Sequence, residues 1–276
     1  MARILAKRFS KIWGEQVIVE NKSGAAGDIA FGAVAHAAPD GYTILMNAGT
    51  SPRLRGLFHH ALDYDPQVDF APVTMVGKFP FLFVVPAASP FKTLKDFISF
   101  AKAHPGKISY AAAGVGSLPH LCGELLERQA GFEMTHVPYR GLAAGELNDL
   151  VTGRIDAMFN ALASLLPPVR AGQVRALGVT TAERFVTVSD LPTFNESGVP
   201  GFDVAGHYGL YVPAKTPPEI VRKVHDATVS TLKEISVKAK FEPLGTAIVG
   251  STPAALAAAD RRAVELFGPI IKSLGI

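Results

Sequence analysis

The stretch SYAAAGVGSLPHLCGELLERQAG, residues 109–131, combines three signals that decide the fold class. SYAAA predicts a strand of small residues, GVGS a tight turn, and the segment from Leu118 onward an amphipathic helix with Leu121, Leu125 and Leu126 on its apolar stripe. A turn of this kind leaves the first N–H groups of the helix without intrahelical partners, so it can bind an anion. Two hypotheses follow: a phosphate or dinucleotide loop of an enzyme, or an anion site in a protein that only binds.

Length, composition and charge restrict the class of protein. The chain has 276 residues, of which 48% are hydrophobic, enough for one large core or two medium ones. Its formal net charge of +3 comes from dispersed Lys and Arg, which argues against a nucleic-acid partner. The single cysteine, Cys122, excludes an intrachain disulfide and a cysteine-based zinc cluster. No apolar run reaches transmembrane length, and MARILAKRFSKIWGEQ does not fit a signal peptide because Lys7 and Arg8 interrupt its apolar part.

The order of predicted elements indicates an α/β protein. Helix and strand patterns alternate from MARILAKRFSKIW through QVIVEN, DIAFGAVAHAA and GYTILMN, and again from KISYAAAG to VRALGVT. Such units with short connections favour a mostly parallel sheet covered on both faces. Because no Gly/Ser-rich linker is present, we expect two lobes joined by the extended segments FLFVVP and VAGHYGLYVP.

Further local signals predict a strand and three helix starts. APVTMVG predicts a strand separate from FLFVVP. Thr93 with Asp96, and Thr216 with Glu219, predict capping boxes, and Thr252 predicts the start of the last helix.

Three junctions between a strand and a helix share a design of small residues: SGAAG at 23–27, GVGS at 114–117 and YRG at 139–141. The carboxyl ends of parallel strands meet at one edge of a sheet, where ligands bind in α/β folds. Each helix N-terminus there favours an anion by ~0.3–1 kcal/mol at an exposed site. Arg140 could hold a carboxylate with its planar guanidinium, although solvation at the loop tip or pairing with a neighbouring acid explains it equally well.

The enzyme hypotheses match the sequence less well. A dinucleotide fingerprint requires a third glycine where Pro119 stands, and no Walker-type lysine follows any of the turns. Ser117 is explained as a helix N-cap by its position before Leu118. Ser117 and His120 could act together in acyl transfer, but no G-x-S-x-G elbow and no orienting acid accompany them.

We expect neither a metal nor a cofactor. The histidines, His59–His60 included, lack the helical spacing and the nearby carboxylates of a metal site. Asp63, Asp65 and Asp69 lie in LDYDPQVDF, which indicates a turn-rich surface loop rather than a calcium site. Cys122 shares the apolar stripe of its helix and is expected to be a small core residue.

Collinear segments along nearly the whole chain resemble a known family. They are VIVENKSGAAGDIAFGAVAHAAPDGYTIL, SPFKTLKDFISFAKAHPGKISYAAAGVGSLPHL, THVPYRGLAAGELNDLVTGRIDAMF, VRALGVTTAERF, LPTFNESGVPGFDV and YGLYVPAKTPPEIVRKV. The sequence resembles the Bug family, the substrate-binding receptors of tripartite tricarboxylate transporters.

The resemblance implies a two-lobed α/β fold of the type II periplasmic-binding-protein kind, each lobe a mostly parallel sheet flanked by helices, that closes on a small ligand. Domain 1 would comprise residues 1–82 and 206–276 and domain 2 residues 83–205, with the ligand cleft between them. Family ligands are carboxylates, among them di- and tricarboxylates, amino acids and aromatic acids, held largely by backbone amides and waters. The resemblance also implies membrane transporter subunits as partners, a periplasmic location, no enzymatic activity and no cofactor. We expect a monomer.

Carried over residue by residue, the ligand-binding loops of the family fall on strand ends in both lobes. They comprise Gly24, Ala25, Ala26, Gly27, Asn47, Gly49, Thr50, Ser51, Gly114, Gly116, Ser117, His120, Tyr139, Arg140, Gly141, Asn160, Ala161 and His207. His207 stands where the family often has a tryptophan, so it would replace part of an aromatic wall with a pH-sensitive donor.

The sequence departs from the family pattern at its start. Family members carry a signal peptide, a first strand and a Pro-Gly-Gly-type loop before the helix with which this chain begins. By that comparison the first strand of lobe 1 is missing. The alternative function is therefore a shortened or repurposed copy that acts as an unexported small-molecule sensor or partner protein, which would be cytoplasmic.

Overall fold

The chain forms two compact units. The computed structural model describes residues 1–22, 24, 27–49, 51–58, 61–139, 144–241, 243 and 245–276, with only the backbone of Ala144. Unit 1 comprises Met1–Lys78 and His207–Ile276, and unit 2 comprises Phe79–Gly206. The chain passes from one unit to the other within the strands Phe70–Pro86 and Ala205–Pro213.

Helices and strands alternate over most of the described chain. In order they are α1 (Ala2–Trp13), α2 (Asp28–Ala35), β1 (Leu45–Ala48), α3 (Pro52–Arg55), β2 (Phe70–Pro86), α4 (Leu94–Ala103), β3 (Ser109–Ala113), α5 (Leu118–Ala130), β4 (Thr135–Tyr139), α6 (Ala144–Val151), β5 (Ala157–Ala161), α7 (Leu162–Arg170), β6 (Val174–Val179), β7 (Ala205–Pro213), α8 (Pro218–Lys233), α9 (Ile235–Phe241), β8 (Ala247–Ile248) and α10 (Pro253–Leu274). The structure thus has the expected α/β character.

Unit 1 packs helices against a small sheet. β1 pairs antiparallel with β7, and β8 pairs antiparallel with the first part of β2. Leu5 and Phe9 lie on the apolar face of α1 and pack in one core cluster with Val73 and Val76 of β2 and Val224 of α8. The buried face of the first helix is therefore apolar.

Unit 2 is built around three parallel strands. β3 lies between β4 and β5 and is parallel to both, and the second part of β2 pairs antiparallel with β5 and with β6. The core is aromatic: the Phe83 ring lies 4.8 Å from Phe97, 4.5 Å from Phe159 and 6.2 Å from Phe194, measured between centroids. Parallel pairing with helical crossovers holds the turns after these strands at a single sheet edge.

Pairing directions differ from the mostly parallel sheets expected from sequence. The described pairings in unit 1 are antiparallel, and both partners of β2 in unit 2 run antiparallel to it. β2 and β7 pass between the units and are not strands of a βαβ repeat, so a right-handed helical crossover does not set their direction. The sheets are mixed.

Other local predictions had different outcomes. APVTMVG and FLFVVP form the single strand β2, and QVIVEN, at 16–21, pairs with no described strand. Strand propensity without a ladder partner leaves Ile18 76% exposed. The capping box at Thr216 was wrong, since α8 has Pro217 as its N-cap and the Thr216 hydroxyl is buried without a partner in the described part of the chain. The caps at Thr93 and Thr252 were confirmed.

Helix α5 approaches β3 so closely that one helical position excludes a side chain. A Cβ atom placed on Gly123 would lie 2.4–2.5 Å from three atoms of the Tyr110 side chain. Tyr110 is fully buried, and its hydroxyl donates a hydrogen bond to the carbonyl of His120 at 3.3 Å, so the ring has no space into which to retreat. Cys122, next to Gly123, is also fully buried, in agreement with its predicted place in the core.

We predict that Gly123→Ala lowers the free energy of unfolding by about 1–2 kcal/mol, because overpacking costs more than the gain in helix propensity. The matched control is Gly268→Ala in α10, where the new Cβ would meet only Leu57 at an ordinary 3.5 Å. We expect the control to be neutral or to stabilise by up to ~1 kcal/mol. Urea denaturation followed by circular dichroism measures both variants, and equal stabilities would contradict the close approach.

Candidate functional site

The ends of three strands meet at one edge of unit 2. Ala113 of β3 lies opposite Tyr139 at the end of β4, and β5, parallel to β3, ends at Ala161. This pairing brings together the residues that follow β3, the end of β4 and the Asn160–Ala161 pair. The candidate ligand residues of this unit, which are separated in sequence, therefore share one edge.

The loop 114–117 after β3 is held by its own hydrogen bonds. Ser117 N–H donates to the Gly114 carbonyl at 3.0 Å, and Gly116 takes a φ of +77°, which favours glycine. The Ser117 hydroxyl donates to the Ala113 carbonyl at 2.7 Å and accepts from His120 N–H at 3.4 Å. Ser117 is thus the N-cap of α5, as its position in the sequence predicted.

His120 lies beneath this loop and supports it. Its side chain is buried, its Nδ1 accepts a hydrogen bond from Gly116 N–H at 3.1 Å, and its Nε2 lies 3.4 Å from a carboxylate oxygen of Glu124. Its ring also packs on His136, with centroids 4.0 Å apart. Both ring nitrogens face protein groups, and the Ser117 hydroxyl donates to a carbonyl instead of an imidazole, which is not the geometry of a serine–histidine pair.

Burial also lowers the pKa of His136, the ring that packs on His120. The pKa of His136 is lowered to about 4, chiefly by burial and further by the proximity of His120, so His136 is neutral at physiological pH. A neutral His136 avoids the cost of a buried charge beneath the loop.

Tyr139 and Asn160 are both held by acids of α6. The Tyr139 hydroxyl donates to an Asp149 carboxylate oxygen at 2.8 Å. The Asn160 Nδ2 donates to Glu146 Oε1 at 2.6 Å, and the Asn160 Oδ1 accepts from Ala161 N–H at 2.7 Å. These contacts fix the orientation of both side chains at the sheet edge.

Glu146 is a buried acid that sequence patterns did not single out. Only 3% of its surface is exposed, and its Oε2 has no hydrogen-bond partner in the part of the chain that the structure describes. Burial raises the pKa of Glu146 to about 7, against the hydrogen bond from Asn160, which lowers it. A charged carboxylate with one unpartnered oxygen is costly in this environment, so the protonated form is favoured below neutral pH.

In unit 1, the turn before α2 leads into a buried ion pair. Gly27 N–H donates to the Gly24 carbonyl at 2.8 Å, and both glycines have positive φ. Asp28, the first residue of α2, accepts from Arg55 Nε at 3.0 Å and Arg55 Nη2 at 2.6 Å, and from the Tyr64 hydroxyl at 2.9 Å. This bidentate ion pair between Arg55 and Asp28 anchors the turn to α3.

The remaining candidates of unit 1 lie where β1 ends beside β7. Asn47 pairs with Gly209 in the ladder, and Gly49 N–H donates to the His207 carbonyl at 3.0 Å. Ser51 is the N-cap of α3, accepting from Leu54 N–H at 3.3 Å. Asn47, Gly49, Ser51 and His207 are therefore neighbours, although His207 is about 160 residues further along the chain.

Some predicted positions lie outside the described residues: Ala25, Ala26, Thr50, Arg140 and Gly141. Within the described chain, no group of three or more His, Cys, Asp or Glu side chains could hold a metal ion, and no helix is long and apolar enough to cross a membrane. Asp65 and Asp69 accept hydrogen bonds from backbone N–H groups of their own loop, as expected for a surface turn.

We predict that Glu146→Gln removes a pH-dependent loss of stability. Because the folded pKa of about 7 lies above the usual value of 4.5, the folded state keeps a proton that the unfolded state loses, and the free energy of unfolding falls as pH rises from 4.5 through 7. The neutral variant should therefore match the parent near pH 4.5 and exceed it by roughly 1–3 kcal/mol at pH 8. Denaturation at several pH values measures this difference. The exposed Glu183→Gln is the control, and a constant offset for Glu146→Gln would refute the assignment.

Comparison with known proteins shows similarity along the whole chain. Residues 1–276 match the tripartite tricarboxylate transporter family receptor. Rpa4515 from R. palustris, solved with adipate, is 33% identical with a TM-score of 0.84 over 96% of this chain and 90% of the other. MatC from Rhodopseudomonas palustris, solved with bound malate, is 31% identical, with a TM-score of 0.84 over 98% of this chain and 92% of the other. The periplasmic binding protein BugD is 32% identical, with a TM-score of 0.82 over 100% of this chain and 92% of the other.

These similarities agree with the observed order of α/β elements. The fold is that of periplasmic binding proteins such as BugD, as the resemblance implied. The chain belongs to the receptor family of tripartite tricarboxylate transporters.

Proposed function

We propose that this protein is an extracytoplasmic receptor that binds a small carboxylate in the periplasm for the membrane subunits of a tripartite tricarboxylate transporter. The likeness along nearly the whole chain to receptors solved with adipate and with malate carries the proposal. Both of those ligands are dicarboxylates, so a dicarboxylate of four to six carbons is the first ligand class to test. The protein acts as a monomeric binding protein without a cofactor, and not as an enzyme or a nucleic-acid-binding protein.

In unit 2, the loop 114–117 and the start of α5 supply donors to a ligand carboxylate. Gly116 and Ser117 already use their N–H groups within the loop. The donors that we assign are therefore the N–H of Val115, whose side chain is 55% exposed, and the N–H of Leu118, the first residue of α5. An anion there also benefits from the helix dipole.

Further contacts in unit 2 come from the neighbouring strand ends. We assign Tyr139, Asn160 and Ala161 to this group because β3, β4 and β5 end at the same edge. Arg140 and Gly141, which follow Tyr139, would add a guanidinium and a backbone donor. His120 acts on the ligand through the loop that it supports.

Unit 1 supplies a second group of binding residues. We assign to it Gly24–Gly27, the loop 47–51 and His207, on the strength of the family resemblance and of the contact between Gly49 and His207. With domain 1 as residues 1–82 and 206–276 and domain 2 as 83–205, each domain has its own group of ligand-binding loops.

We predict that a carboxylate placed at Gly114 weakens ligand binding by charge repulsion. A Cβ atom on Gly114 meets nothing within 4 Å, and Gly114 does not need a positive φ, so side chains fit without strain. Gly114→Glu should bind adipate or malate at least tenfold more weakly than Gly114→Gln, which has nearly the same volume without the charge. Two charges 4 Å apart interact by about 1 kcal/mol in water and more in a partly buried site, which is consistent with this effect.

Isothermal titration calorimetry with adipate and with malate measures these affinities, and the unsubstituted protein is the reference. Equal affinities of the Glu and Gln variants would place the ligand away from this loop. If neither acid, nor any other di- or tricarboxylate, amino acid or aromatic acid, binds the unsubstituted protein, the proposed function is wrong.

A further inference from the structure

A buried pair of ionisable side chains lies beside the loop 47–51 of unit 1. His207 of β7 is 8% exposed and Asp260 of α10 is 2% exposed. The His207 Nε2 lies 3.6 Å from the Asp260 Oδ1 and has no hydrogen-bond partner in the described part of the chain. The backbone carbonyl of the same histidine accepts from Gly49 N–H at 3.0 Å, which joins the pair to the loop.

The strand pattern of β7 builds this arrangement. His207, Gly209 and Tyr211 alternate along the strand and so lie on one face of it. The Tyr211 ring lies over Gly209, where a Cβ would be 2.6 Å from a ring carbon. Its hydroxyl then reaches Asp260 and donates to both carboxylate oxygens, at 3.0 and 3.1 Å.

Polar side chains also face Asp260 from Ser51, the N-cap of α3, from Arg53 of α3 and from Arg261 of α10. The hydroxyl of Ser51 hydrogen-bonds to the carboxylate, and the guanidinium groups of Arg53 and Arg261 lie near enough to favour its charged form. Burial outweighs these groups together with Tyr211, and raises the pKa of Asp260 to about 7. Burial likewise lowers the pKa of His207 to about 4.

Burial makes the His207–Asp260 pair a proton acceptor above pH 7. Above pH 7 the free protein has a neutral His207 beside a charged Asp260, and the Asp260 carboxylate is the more basic group of the pair. An anion bound at the adjacent loop would add negative potential to that of Asp260. A proton taken up by Asp260 would remove the repulsion between the two negative charges, so anion binding raises the pKa of Asp260 further.

We propose that binding of a carboxylate at the loop 47–51 is coupled to the uptake of one proton from solvent by the His207–Asp260 pair. Asp260 takes up the added proton, and the neutral His207, whose Nε2 lies 3.6 Å from the Asp260 Oδ1, is its buried neighbour. This inference rests on the proposed carboxylate-binding function and adds to it a dependence on pH that the ligand itself does not supply, since simple dicarboxylates are fully ionised above pH 7.

Linkage gives the expected size of the effect. If the complex binds one proton more than the free protein and free ligand, affinity falls up to tenfold for each unit of pH above 7. Replacement of Asp260 by Asn removes the group that takes up the proton, so affinity should become nearly independent of pH.

Titration calorimetry with adipate and with malate at pH 8, in HEPES and in Tris, tests the coupling. The two buffers release protons with different enthalpies, so the heats observed for the unsubstituted protein should differ by the difference in buffer ionisation enthalpy for close to one proton. The heats observed for Asp260→Asn should be nearly equal in the two buffers. The control is Asp226→Asn, which alters an exposed His225–Asp226 pair in the same unit and should keep the full difference.

A second measurement needs no variant. The 13C chemical shift of the Asp260 carboxyl group, followed by NMR at pH 8, should move from ionised to protonated values as the dicarboxylate saturates the protein. Equal heats in both buffers, or an Asp260 carboxyl group that stays ionised in the complex, overturn the coupling while carboxylate binding stands. Absence of heat with every acid overturns the proposed function and the coupling with it.

Discussion

The parallel pairing of β3 with β4 and β5 is the constraint on which the candidate site of unit 2 depends. Parallel strands are joined by crossover helices. Each of these strands therefore ends at the edge where the next helix, or the segment leading to it, begins. The contact between Gly123 and Tyr110 allows α5 to lie close to β3, and Ser117 and His120 fix the loop between them. A loop held in this way presents its remaining N–H groups at little further entropic cost when a ligand binds.

Buried acids beside both groups of candidate residues make the stability of the fold depend on pH. Glu146 and Asp260 both have pKa values raised to about 7 by burial, so each destabilises the fold once it ionises. His207, with a pKa lowered to about 4, acts in the opposite sense between pH 4 and 6.5, where the unfolded chain binds a proton that the folded chain does not. In unit 1 the histidine and the aspartate therefore partly offset one another below neutral pH.

Local signals were the part of the structure that sequence patterns predicted well. Ser117, Thr93 and Thr252 cap helices where expected, because a cap depends on residues within one turn. Segment 16–21 has strand propensity but no ladder partner, and the environment of Thr216 is set by packing, so neither could be predicted locally. The supporting role of His120 and the burial of Glu146 and Asp260 depend on contacts between distant elements, and the letters of the sequence are the same for a buried acid and an exposed one.

An amide 15N–1H NMR titration of the protein with adipate or malate tests the unit 2 site most directly. A carboxylate held at the parallel edge of unit 2 should shift the Val115 and Leu118 amides most, together with those near Tyr139 and Asn160–Ala161. Binding that leaves residues 114–118 unchanged, with shifts confined to other parts of unit 2, would contradict the assignment of this edge as the carboxylate site.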